Sequence, residues 1–141
     1  MRPLSMPRRE VIEAAGERVR GSGGRVTAAR VRVLGRLLEA GRALSHHEIG
    51  AGLRDVDRVT LYRILDWLVR NGLAHRIAGP DRAWRYSIAL QGHDEHAHFH
   101  CGRCGRLLCL GDVSVGQPSL PRGYRSERVE VTVTGCCADC R

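Results

Sequence analysis

Two C-x-x-C pairs near the end of the chain, Cys101/Cys104 and Cys137/Cys140, constrain its fold more than any other feature. Four thiolates at this spacing can surround one tetrahedral zinc ion, and the 32 residues between Cys104 and Cys137 leave room for a small folded unit. A pair of disulfides is the alternative, although a two-residue spacing suits a metal site better. Because metal ligation needs reduced thiols, and no secretory signal or membrane-spanning stretch is visible, we expect a soluble, cytoplasmic protein without a membrane partner.

The excess of positive charge is confined to the first part of the chain. All 23 basic residues are arginine, and residues 1–86 hold 17 of them against 9 acidic residues, whereas residues 87–141 hold 6 against 6. A positive field localised in this way is typical of a module that binds the phosphates of DNA. A solvated arginine surface without a ligand is the alternative.

Apolar spacing predicts helices in the first half and two short strands after them. The helices are expected over residues 7–20, from an N-cap at Thr27 to Gly41, from an N-cap at Ser45 through Leu53, and from Arg58 to Asn71, and the strands over 73–77 and 84–88. The last three of these helices, followed by a hairpin, describe a winged helix. We predict an α+β protein with a winged helix-turn-helix DNA-binding domain over 1–88, a hinge over 89–95 and a metal-binding domain over 96–141.

The helix from Arg58 to Asn71 is the candidate recognition helix. A helix fits the major groove of DNA, where Arg63 can read guanine or bind phosphate while the ring of Tyr62 packs on a thymine methyl group. Arg25 follows a glycine-rich lead that can bring a guanidinium into a narrow minor groove. The alternative is a solvated amphipathic helix in an all-α interaction domain.

Histidines crowd the segment before the first cysteine pair: His93, His96, His98 and His100. If residues 96–100 are extended, alternation places three of these rings on one face, where one metal ion can take at least two of them. Cys109 follows in an apolar run, as a thiolate ligand or as a small buried side chain. Imidazole and thiolate favour zinc over harder ions, although a polar surface strand is the alternative. Cys136 is interpreted as a spare thiol, and His46 and His47 as exposed.

Taken together, these motifs resemble the ferric uptake regulator (Fur) family over almost the whole chain. The matching motifs are Arg25-Val26-Thr27-x-x-Arg30, Val59-Thr60-Leu61-Tyr62-Arg63-Ile64-Leu65, Asn71-Gly72-Leu73, Cys101-x-x-Cys104-Gly105 after the histidines, and Gly135-x-Cys137-x-x-Cys140. The resemblance implies a dimeric, metal-responsive repressor with an N-terminal winged helix and a small C-terminal α/β dimerisation domain carrying a four-cysteine zinc site.

The resemblance also assigns residues to roles. The structural zinc is expected at Cys101, Cys104, Cys137 and Cys140, and the sensing site between the domains at His96 and His98, joined in our interpretation by His93 and Cys109. The residues expected to contact DNA are Arg25, Thr27, Arg30, Arg58, Thr60, Tyr62 and Arg63.

Some positions depart from the family pattern and shift the expected metal. Cys109 stands where relatives usually place a carboxylate, Ala43 and Ser87 stand at positions that often hold ligands, and the segment 111–122 is short for the usual long helix. A softened site makes a zinc uptake regulator the expected member, with zinc also as the regulatory metal. We expect a homodimer that represses by binding palindromic operator DNA when metal is bound.

Other functions stay open at this level. A regulator of the same family that responds to iron, nickel or peroxide is one alternative, and a zinc-binding adaptor that does not bind DNA is another. A thiol-redox or hydrolytic enzyme built on Cys109 is disfavoured, because no carboxylate or glycine-rich substrate loop supports it.

Overall fold

The chain separates into two units, Met1–Ala89 and Leu90–Arg141. The structure, a computed structural model, describes residues 6–79, 81–89, 96–114, 116–127 and 129–141, without the side chains of residues 96, 112 and 114. The hinge predicted over 89–95 therefore lies, apart from Ala89, outside the described residues. No helix in the described part of the chain is long and apolar enough to span a bilayer.

The described residues of the first unit form four helices and a small sheet. Its elements are α1 (Arg8–Gly21), α2 (Ala28–Ala40), β1 (Leu44–Ser45), α3 (His46–Ala51), α4 (Arg58–Arg70), β2 (Ala74–Ala78) and β3 (Trp84–Ile88). The helix starts follow from capping: Thr27 accepts a hydrogen bond from the backbone of Arg30, and Ser45 forms a capping box with Glu48. Gly41 ends α2 in the left-handed conformation that glycine adopts at little cost. The predicted helices and strands are confirmed to within a few residues.

The core of the first unit lies between its helices. Leu34, Leu37, Ile49, Leu65 and Leu68 are almost fully buried, on the faces that the apolar spacing predicts. The sheet has the order β1-β3-β2 with antiparallel pairs, so the β2–β3 hairpin, the wing, is fixed to the helices through β1. Two residues are too few to show periodicity, and β1 was therefore not predicted.

The second unit is a three-stranded sheet in its described part. Its strands are β4 (His96–Cys101), β5 (Leu107–Ser114) and β6 (Val131–Gly135), in the order β5-β4-β6. β4 pairs antiparallel with β5 and parallel with β6. Residues 116–127 carry no helix in this structure, so the long helix that the family pattern suggested is absent from the described part of this segment.

One expectation about the first unit is wrong. His46 was expected to be exposed, but its ring is half-buried and stacks on Tyr62 with centroids 3.7 Å apart and planes 16° apart. The tertiary contact between α3 and α4 leaves no trace in the local sequence pattern. His47, the next residue, is exposed as expected.

Candidate metal centre and nucleic-acid interface

The four cysteines of the two C-x-x-C pairs come together in space. The Sγ atoms of Cys101, Cys104, Cys137 and Cys140 all lie within 4.8 Å of one another. The Sγ atoms of Cys104 and Cys137 are 3.7 Å apart, and a tetrahedral zinc with Zn–S bonds of about 2.3 Å would hold two sulfurs about 3.8 Å apart. None of these four cysteines forms a disulfide bond. The donor set and its spacing therefore fit a tetrahedral thiolate metal site and not a disulfide pair.

The sheet topology explains why cysteines 36 residues apart meet. Cys101 ends β4, Gly135 ends β6, and the two residues are partners in the parallel β4–β6 pair. Parallel pairing brings both carboxyl ends to the same edge of the sheet, where each C-x-x-C turn begins. The first turn closes with bonds from the Gly105 N–H to the Cys101 carbonyl (2.9 Å), with Gly105 at φ 75°, and the second from Cys140 to Cys137 (3.0 Å).

Arginine side chains join the two turns. Arg103 donates a hydrogen bond of 2.7 Å to the backbone carbonyl of Cys140, and Arg106 forms an ion pair with Asp139. Each contact crosses from the first C-x-x-C turn to the second. The two C-x-x-C turns are thus held together by these arginine contacts as well as by the pairing of their strands.

Backbone donors favour the ionised form of one thiol in the cluster. Hydrogen bonds from the backbone N–H groups of Cys104 and Cys137 lower the pKa of Cys101 to about 5. Hydrogen bonds with Cys137 and then Cys104 instead raise the pKa of Cys140 to about 12. Opposite shifts are expected when four sulfurs share a small volume, because only a cation can neutralise several thiolates at once.

The predicted regulatory ligands are only partly described. His98 of β4 and Cys109 of β5 are direct cross-strand partners, and both side chains are half-buried. The register shifts between His96 and Ala97, opposite Ser114 and Leu110. His93 and the side chain of His96 lie outside the described residues. Among the residues that the structure describes, only the four cysteines form a cluster of three or more metal ligands.

The face of α4 predicted to read DNA is exposed. Arg63 is exposed and the Tyr62 side chain is 44% accessible. Thr60 is tied to the start of the helix, because its N–H and its hydroxyl both donate to the Asp57 carboxylate at 2.8 Å. The guanidinium of Arg58 lies 5.9 Å from the centroid of the Tyr62 ring. A cation and an aromatic ring therefore stand side by side at the start of this helix.

The segment before α2 contains the other predicted DNA contacts. Arg25 is exposed, and the Thr27 hydroxyl caps α2. Arg30 is engaged within the domain: its carbon Cζ lies 3.9 Å from the centroid of the Trp67 ring, and its Nη1 donates to the Arg25 carbonyl at 2.8 Å. These contacts favour an intramolecular role for Arg30, and its contact with DNA stays a prediction.

Sequence reasoning missed two residues of the wing that border this face. A groove of about 560 Å³ between α4 and the wing is lined by residues that include Tyr62, Arg63, Arg70, Arg76 and Trp84. Arg76 of β2 lies over the ring of Trp84 of β3 at 4.1 Å, and Trp84 is 48% exposed. Arg76 pairs with Tyr86, so Trp84 is its diagonal neighbour across the hairpin. In the sequence, the available signal was a large aromatic residue in one short strand and an arginine in the other.

The chain matches one family model over most of its length. The model, described as the ferric uptake regulator family, covers residues 21–129. A "Ferric uptake regulation protein" from Helicobacter pylori strain ATCC 700392 / 26695 is 27% identical over 148 aligned positions, which cover 96% of this chain and 97% of that protein.

Solved structures share the fold. A zinc uptake regulator in complex with zinc and DNA superposes with a TM-score of 0.69 at 20% identity, covering 96% of both chains. The ferric uptake regulator of Helicobacter pylori superposes with a TM-score of 0.60 at 22% identity, covering 99% of this chain and 97% of that one. At this level of identity, the likeness establishes the fold.

Proposed function

Because the chain belongs to the ferric uptake regulator family, whose members are metal-responsive transcription regulators and not enzymes, we propose that it is a zinc-responsive repressor. It binds palindromic operator DNA as a homodimer when a regulatory zinc is present. Such a protein works on DNA and depends on reduced thiols, so we place it in the cytoplasm.

The DNA-binding face is proposed to consist of α4 and the segment before α2. Arg63 and Tyr62 read base edges in the major groove, and Arg25 enters the adjacent minor groove. Their exposure and the arginine excess of residues 1–86 support this assignment. The contacts with the DNA backbone come from Thr27, Arg58 and Thr60, which lie at the starts of helices.

The four-cysteine cluster is proposed to hold a structural zinc. The observed sulfur spacing, and the backbone N–H groups that favour the Cys101 thiolate, support that assignment. Zinc bound there would supply folding free energy to a unit whose described part is a single small sheet. The chain's own contribution is the parallel β4–β6 pair, which brings the ligands together.

The regulatory site is proposed at His98 and Cys109, completed by His93 and His96. The single observation that carries it is the direct cross-strand pairing of His98 with Cys109. Opposite residues in an antiparallel pair have Cβ atoms about 5 Å apart, close enough for an imidazole and a thiolate to share one ion. This donor set prefers zinc to iron or manganese. Occupancy of the site would favour the DNA-competent population of the dimer.

The homodimer is supported by the edge of the second sheet. All five residues of β6 are exposed, including Val131 and Val133, and its outer edge has no partner among the described strands. Natural proteins rarely leave such an edge open, and a second copy with two-fold symmetry would cover it.

Iron sensing is the second candidate, because the relative in Helicobacter pylori carries the name of a ferric regulator. Substitution with Co²⁺ separates the two metals. A zinc-type site with Cys109 gives sulfur-to-cobalt charge-transfer absorption from the second metal equivalent, and Cys109→Ser loses that part alone. An unchanged spectrum and metal response in Cys109→Ser would remove Cys109 from the site and with it the preference for zinc.

A further inference from the structure

We infer that Trp67 of α4 is a positioning residue that holds Arg25 in a fixed place relative to the recognition helix, through Gly24 and Arg30. The inference rests on the proposed function, because it assigns Arg25 and Arg63 to one DNA site.

Gly24 lies against the Trp67 ring too closely for any side chain. A Cβ atom at position 24 would be 2.2 Å from Cζ2 and 2.5 Å from Cη2 of Trp67. Real Cβ atoms do not approach other carbons this closely, so the backbone packs directly on the ring. The residue before Arg25 is thereby seated on α4.

Arg30 provides a second link between Arg25 and Trp67. Its guanidinium lies over the Trp67 ring at 3.9 Å, a distance at which a cation is attracted to the ring face. The same guanidinium donates through Nη1 to the backbone carbonyl of Arg25 at 2.8 Å. Arg30 thus connects the backbone at position 25 with the ring at position 67.

Trp67 is itself well fixed. It is half-buried and packs against the core cluster of the first unit, on the helix that carries Tyr62 and Arg63. Without the tie, the glycine-rich lead at 21–24 would leave Arg25 many conformations to lose on binding. With it, Arg25 is pre-organised relative to Arg63, which reduces the entropic cost of engaging both grooves.

The chain offers a matched pair of glycine substitutions for the test. Gly24→Ala drives a methyl group into the Trp67 ring, whereas Gly21→Ala places its methyl group where no atom lies within 4 Å. Gly21 also has no positive φ, so alanine fits its backbone. The binding probe is a duplex selected from a random pool by the zinc-loaded wild-type protein, and dissociation constants are measured over a series of salt concentrations.

We expect Arg25→Ala and Gly24→Ala each to weaken DNA binding on the order of tenfold. Each substitution should also reduce the number of counterions released on binding by about one per subunit, which makes the plot of log Kd against log salt concentration less steep. In the Arg25→Ala background, Gly24→Ala should add nothing, because the group that it displaces is already gone. Gly21→Ala should bind as the wild type. A Gly24→Ala variant that binds as tightly as the wild type, or one whose loss persists in the Arg25→Ala background, would overturn the inference.

A second measurement is independent of DNA and of the proposed function. In the DNA-free protein, ¹⁵N relaxation should show the Arg25 amide as ordered as the amides of α2, and Trp67→Leu should lower the Arg25 order parameter while leaving α2 unchanged. An Arg25 amide that is already mobile in the wild type, or unaffected by Trp67→Leu, would overturn the positioning role. Failure of the wild type to select DNA would instead refute the proposed function.

Discussion

His46 and Tyr62 show how a single residue of α3 shapes the exposed face of α4. Their rings stack at 3.7 Å, and Nε2 of His46 is buried with no hydrogen-bond partner among the described residues. Burial lowers the pKa of His46, opposed in part by a hydrogen bond with the Arg58 backbone, and the nearby charge of Arg58 lowers it further. The neutral ring is therefore the form that suits this stack.

The lowered pKa of His46 should make the stability of the first unit depend on pH. The unfolded chain takes up a proton at His46 near pH 6.5, before the folded chain does, so the free energy of unfolding should fall as pH decreases through that region. His46→Phe keeps a stacked ring and should show a smaller decrease between pH 7.5 and pH 5.5. Urea unfolding followed by tryptophan fluorescence measures it, since Trp67 and Trp84 both lie in the first unit. His47→Phe, at the exposed neighbour, should behave as the wild type; an equal decrease in His46→Phe would contradict the prediction.

Arg63 carries a prediction about DNA. Arg63→Ala should weaken binding of the selected duplex by about 1–3 kcal/mol and reduce discrimination at one base position, because a bidentate guanine contact would be lost. Arg9→Ala removes the same charge from an exposed position on α1 and serves as the control. Uniform loss across sequences would make Arg63 a phosphate contact, and unchanged affinity would remove α4 from the groove.

Residue types could be predicted at this scale, but their tertiary partners could not. The sequence pattern places Arg63 and Tyr62 on the open face of the helix, where the structure has them. The stack of His46 on Tyr62 and the contact of Arg30 with Trp67 depend on how helices pack, and no local pattern encodes that packing.

At the scale of the elements, capping residues fix where helices begin, and Asp57 caps the start of α4. The Asp57 carboxylate accepts from both the N–H and the hydroxyl of Thr60. Asp57→Ala should lower the free energy of unfolding of the first unit by about 1 kcal/mol and weaken DNA binding, because the first turn of α4 loses its cap. Asp57→Asn retains an acceptor and should lose much less in urea titrations. Equal losses in the two variants would show that charge, and not capping, is what Asp57 contributes.

Element prediction succeeded where capping and periodicity were both readable. Thr27 and Ser45 were identified as caps, and both accept the expected backbone bonds. Asp57 was not identified as a cap, because Asp also favours turns and its capping role required the helix to be placed first. In the second unit, the segment 116–127 has no apolar period, which agrees with its lack of a helix.

At the scale of the whole molecule, the sequence predicts the metal site of the second unit but not the strand pairing that forms it. The four cysteines were identified as one site from their spacing alone, but only the parallel β4–β6 pair explains how they meet. Parallel pairing joins segments far apart in the chain, and the sequence offers no direct sign of it. His98 and Cys109 are cross-strand partners, but their role as regulatory ligands, like that of His93 and His96, stays a prediction.

Adjacent cysteines provide a sharp test of the structural site. Cys137→Ser should abolish zinc binding by the cluster, unfold the second unit and yield monomers, because loss of one thiolate opens the tetrahedron. Cys136→Ser changes the neighbouring exposed thiol, which is outside the cluster, and should leave all three properties intact. Zinc analysis measures the bound metal, sedimentation velocity measures the oligomeric state, and far-UV circular dichroism measures the loss of the second unit. Tryptophan fluorescence confirms that the first unit stays folded, because Trp67 and Trp84 both lie there. A stable, dimeric, zinc-free Cys137→Ser variant would contradict the assignment.

The central claim is that zinc at a second site, built on His98, controls DNA binding. Fluorescence anisotropy of the selected duplex, measured against buffered free zinc for the wild type and His98→Ala, tests it most directly. The affinity of the wild type for DNA should increase as the second zinc equivalent binds. His98→Ala should remain a folded dimer with its structural zinc and should bind DNA weakly at every zinc concentration. Affinity that is independent of zinc, a His98→Ala variant that responds like the wild type, or tightening with Fe²⁺ alone would contradict the account.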